Sequence, residues 1–153
     1  MLTSKAHLRA WLRFADDKQY GEQALEGARQ LDHRQADALE MLNGDESGAA
    51  TVLVYLPALD LAATKPLCTS SLRLLHDKFA KVYHPRPDDP RSYDELLSRL
   101  YGDWSLITLQ WLAAHGCDAD VQLNQAEDLV RGYQDSPARA AVLTSLAQAH
   151  RKP

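Results

Sequence analysis

The chain has 153 residues, 45% hydrophobic and 25% charged, with three Trp, six Tyr and a formal net charge of −4. That length fits one domain, residues 1–153, and the composition excludes the disordered class, which buries too little apolar surface to fold. Its start has no continuous apolar run with a cleavage site, and its most apolar stretch is broken by Pro57 and Asp60 well short of the roughly 18 residues a membrane span needs.

Cys68 and Cys117 belong to no CxxC pair or metal-ligand spacing, so they read as ordinary thiols in a reducing compartment, and a cytoplasmic location is expected. The richness in Ala, Leu and Arg points to a GC-rich bacterial gene.

Helix signals follow one another along the chain. Ser4 is placed to cap a first helix in which Leu8, Trp11, Leu12 and Ala15 repeat at i, i+3, i+4, i+7. Residues 18–42 carry an apolar series with a polar gap at 32–37, hence one long helix or two, closed by a left-handed stop at Asn43-Gly44. The segment 48–64, GAATVLVYLPALDLAAT, is apolar on nearly every side. It predicts a central helix, opened by Asp45 or Ser47, kinked at Pro57, ended by Lys65-Pro66 and packed on several faces.

Thr69 or Ser70 then opens a helix with Leu72, Leu75, Phe79, Val82 and Tyr83 on one face, and Pro85, Pro87 and Pro90 impose a loop. Ser92 with Glu95 forms a capping box, the hydroxyl and carboxylate each satisfying an orphan amide. Asp103 opens the next helix and Gly116 closes it. Asp118 or Asp120 opens another with Leu123, Ala126, Val130 and Tyr133 inward, and Ser136-Pro137 begins the last. No segment alternates with period two. The expected fold is all-α, a compact bundle of seven or eight short helices around the central apolar helix.

Chemical signatures are sparse. No HExxH or ExxH occurs, and neither GxGxxG nor GxxxxGK[ST], so no metal, cofactor or glycine-loop phosphate site is expected. A helix-turn-helix drawn across 109–130 would present Asp120, Glu127 and Asp128 to DNA, which repels phosphate, so no nucleic-acid partner is expected. His76 lies among Arg73, Asp77 and Lys81, whose i, i+4 spacing is that of an ordinary exposed helix.

Charge is uneven. Residues 92–135 hold eight acids against two arginines, a formal balance of minus six, and residues 67–91 hold five bases against three acids, a balance of plus two. An acidic face of this kind steers a basic protein partner. Asp94, Glu95, Asp120, Glu127 and Asp128 are its candidate residues. The expectation is a non-enzymatic protein-binding domain, of the class that includes immunity or antitoxin-like proteins, secretion chaperones and anti-activators. The alternative is a small-molecule-binding or catalytic bundle with a pocket beside the central helix, for which Tyr55 and His76 are the candidates.

Overall fold

The computed structural model describes residues 3 and 5–150, so the Ser4 cap lies outside the described residues. Among these residues there are nine α-helices and no strand, one more helix than the sequence reading allows. No helix among them is long and apolar enough to cross a membrane. Contacts cluster into two compact units, Met1–Ser70 and Ser71–Pro153.

The first unit contains α1 (Leu8–Leu12), α2 (Gly21–Arg29), α3 (Arg34–Leu42) and α4 (Glu46–Tyr55). His7 caps α1, its Nδ1 accepting the Arg9 amide at 3.0 Å. The stretch 18–42 is two helices, and neither Asn43 nor Gly44 adopts the left-handed conformation expected there. Asp45 caps α4 as predicted, Oδ1 accepting the Gly48 amide at 2.7 Å.

The central helix over 48–64 is a correction. Helix α4 ends at Tyr55, Leu56–Ala58 is a single 3-10 turn, and Asp60 has φ +49. Pro57 cannot donate to the helical ladder and its ring crowds the preceding turn, so the helix stops instead of bending. Side chains of α2 and α3 then take the backbone groups that a continuing helix would have satisfied itself. Arg29 donates to the Ala58 carbonyl, Arg34 to those of Leu59 and Asp60, and the Gln35 amide pairs both ways with Ala63. Helix α4 buries one stripe, Ala49, Val52 and Leu53, while Ala50 is exposed. Lys65-Pro66, expected to end a helix, forms a 3-10 turn leading into α5 (Cys68–Ala80).

The second unit takes up α5 from Ser71 and adds α6 (Tyr93–Arg99), α7 (Trp104–Ala114), α8 (Asp120–Arg131) and α9 (Pro137–Ala149). Helix α9 packs on α7 and α8. Leu72, Leu75, Phe79, Leu123, Ala126, Val130 and Tyr133 are buried, as their spacing predicts, and so are Leu106 and Leu109 of α7. Ser92 caps α6 through the Glu95 amide, but the Glu95 carboxylate does not complete the box; it turns to the Arg91 guanidinium at 3.2 Å. An ion pair with a preformed guanidinium fork outcompetes a single backbone amide.

The cysteines are a second correction. Both Cys68 and Cys117 are disulfide-bonded and neither is a free thiol, which removes the argument from reduced cysteines to a cytoplasmic location.

Candidate functional site

The predicted acidic residues lie on α6 and α8, and most are answered by cations of the same unit. Glu95 is half-buried between Arg91 at 3.2 Å and Arg99 at 3.9 Å. Glu127 is buried, 3.2 Å from Arg131 on one side and 3.2 Å from His150 Nε2 on the other. Asp128 is exposed, 3.5 Å from Arg131, and Asp120 is exposed, 3.3 Å from His150 Nδ1. Asp94 is exposed with no ion pair among the described residues. The i, i+4 partner of Glu127 was legible in the sequence. His150, twenty-three positions away, meets it because α9 folds back along α8.

Tyr55 and His76 belong to different units. Tyr55 is half-buried, and burial first, then the Asp16 charge, pushes its hydroxyl above the usual tyrosine range. His76 is exposed and clamps α5 to α8: its Nδ1 lies 3.0 Å from Gln125 Oε1, and Gln125 Nε2 donates to the His76 carbonyl at 3.0 Å. Two-point pairing with a glutamine amide is a packing role.

In the first unit, His7, Asp37 and Glu40 bring metal-type ligand atoms together, with His7 Nε2 3.5 Å from Asp37 Oδ1 and 3.8 Å from Glu40 Oε1. The hydrogen bonding of the ring decides what the cluster does. Because Nδ1 accepts the Arg9 amide, the proton of the neutral imidazole sits on Nε2, the atom facing the carboxylates. The ring offers them a proton, where a metal would need a lone pair. The other oxygen of buried Asp37 accepts the Leu8 amide at 3.0 Å and meets His33, so the cluster ties α1 to α3.

Among its described residues the second unit holds a carboxylate-lined pocket and a cation-lined groove. The pocket, of about 250 Å³, is lined by Gly116, Cys117, Asp118, Asp120, Leu123 and His150. It lies between the C-terminal end of α7, where the helix dipole is negative, and the first turn of α8, where it is positive. The groove, of about 470 Å³, is lined by Lys78, Lys81, Val82, Tyr83, Ser98, Arg99 and Tyr101.

Tyr101 owes its position in that groove to an unusual helix end. The Gly102 amide bonds the Leu97 carbonyl at 2.7 Å and the Tyr101 amide bonds that of Ser98 at 3.2 Å, the paired closure whose penultimate residue must be left-handed. Tyr101 fills that position, with φ +59. Helix α7 ends the same way, the Cys117 amide reaching Leu112, but there the left-handed residue is Gly116, φ +92. A tyrosine in this conformation costs on the order of 1 kcal/mol over glycine.

The strained turn leaves Tyr101 82% exposed, with Lys78 Nζ 5.0 Å from the centre of its ring and 5.1 Å from that of Trp104. Burial pulls the Lys78 ammonium below the usual lysine range. The sequence held no signal for this groove, since Lys78 and Tyr101 lie in separate helical segments.

Comparison with protein-family models, curated proteins and solved structures finds no match to the chain.

Proposed function

We propose that the chain is a non-enzymatic protein-binding domain whose carboxylate-lined pocket receives a lysine or arginine side chain of a basic partner. The observation that carries this reading is that Asp118 and Asp120, both exposed, line one pocket that no lysine or arginine among the described residues lines. His150, 3.3 Å from Asp120, occupies the place that an incoming cation would take over. A pocket of about 250 Å³ is large enough for one such side chain and small for a drug-sized ligand. Asp94 and Asp128, both exposed, supply the wider field that steers association.

Glu95 and Glu127 act differently from the exposed acids. Their charges are already met within the unit, so they hold α6 and α8 in place and leave recognition to Asp118 and Asp120. The disulfide-bonded cysteines favour work in an oxidising compartment, where an immunity-type or chaperone role is one of partner capture.

Fluorescence anisotropy with a labelled arginine-rich peptide tests the reading. The wild-type chain should bind it, more weakly at high salt, and the double variant Asp118→Asn, Asp120→Asn should lose about tenfold in affinity. Equal affinity in variant and wild type, or equal binding of a glutamate-rich peptide, would reject the pocket as a socket for a basic side chain.

A further inference from the structure

We propose that the groove between α5 and the end of α6 is a separate binding site for a small anionic ligand that carries a planar ring, the chemical class of nucleotides and aryl phosphates. Three cations, Lys78, Lys81 and Arg99, line it with the hydroxyl of Ser98, and none of its lining residues is a carboxylate. Lys78 and Lys81 make no ion pair among the described residues, while Arg99 has its Nε 3.9 Å from Glu95 and its guanidinium 5.7 Å from the centre of the Tyr83 ring. Lys78 and Lys81, one turn apart without a counter-charge, repel one another, a cost that a bound oxyanion removes.

The position of Lys78 sharpens the point. Its ammonium rests beside two aromatic rings in a partly dehydrated setting, where cation–π attraction offsets part of the lost hydration. Burial favours its neutral form, so an arriving anion gains from it more than from a fully hydrated lysine. The role of Tyr101 follows from the backbone. Glycine would close α6 without strain, as Gly116 closes α7, yet the position holds a tyrosine that is 82% exposed, with Lys78 beside its ring. Backbone strain that presents a side chain to solvent in place of burying it is the pattern of a ligand-contacting residue. An exposed ring in a groove lined by three cations pairs a stacking surface with an anion receptor. The groove, at about 470 Å³, falls in the size range of small-molecule sites.

The site is independent of the carboxylate pocket, with which it shares no lining residue. Its test uses the full, isotope-labelled chain and amide chemical shifts, with ADP, adenosine and inorganic phosphate as probes. ADP should cause saturable shifts centred on the amides of Lys78, Ser98 and Tyr101. Adenosine and phosphate should each bind at least about tenfold more weakly, because each offers half of the ligand. Lys78→Met and Tyr101→Ala should each weaken ADP by about tenfold, while Lys78→Arg and Tyr101→Phe retain it. The spectra of the unliganded variants report whether each is folded, so a loss through unfolding is separated from a loss of contacts. Absence of saturable shifts, shifts centred elsewhere, or phosphate binding as tightly as ADP would overturn the proposal.

Discussion

The Arg34 guanidinium holds the carbonyl of Asp60 at 2.7 Å, and Asp60 is the residue at which the chain turns left-handed after α4. The same side chain reaches the carbonyls of Leu31 at 2.8 Å and Leu59 at 3.0 Å. A helical residue thus serves as the cap for a non-helical segment that Pro57 has released from its own ladder. Arg34→Met keeps the apolar stem and removes the donors, and it should destabilise the fold by about 1 to 3 kcal/mol. Urea unfolding measures the loss, and hydrogen exchange should rise first around Asp60. A variant as stable as the wild type would show that these carbonyls are equally well served by water.

Tyr101→Gly separates stability from binding. Relief of the left-handed strain should stabilise the protein by about 0.5 to 1 kcal/mol, since glycine fits this helix end freely. The same change removes the ring that stands beside Lys78. A thermal melt should therefore rise slightly while ADP binding falls, and a variant that melts lower would show that the tyrosine is there for packing.

The cysteines set a redox prediction. Thiol titration of the denatured, unreduced protein should find no free thiol, against the two present after reduction. Reduction should cost about 2 to 5 kcal/mol, seen as a lower melting temperature. Two reactive thiols without reductant would overturn the bonded state.

Acid stability should depend on Asp89. Its carboxyl is held below its ordinary value of 3.8, first by the Arg91 guanidinium at 3.1 Å and then by the Tyr83 hydroxyl at 2.8 Å. A carboxyl lowered in the folded state stabilises above its ordinary value and loses that contribution as pH falls through the folded one. Asp89→Asn should therefore melt lower than the wild type near neutral pH, with the difference shrinking below about pH 4. A difference that stays constant down to acid pH would assign the effect to packing of the loop.

Local chemistry decided much of this protein before any tertiary contact. Asp45, Ser92 and Ser136 cap helices where their side chains, read three residues ahead, said they would, because a cap needs only its own neighbouring amides. The i, i+3, i+4 stripes of α5 and α8 named the buried residues for the same reason. Tertiary structure decided the rest. The apolar segment 48–64 has helical composition, but its path after Tyr55 depends on donors from Arg29, Arg34 and Gln35, which only folding brings to it. Acid counts placed Glu127 on a surface, and the return of α9 with His150 buried it. The groove at Tyr101 was illegible for a related reason. Whether a tyrosine after a helix packs inward or stands in solvent beside a lysine is set by its φ angle and by distant neighbours, and neither is written in residue spacing.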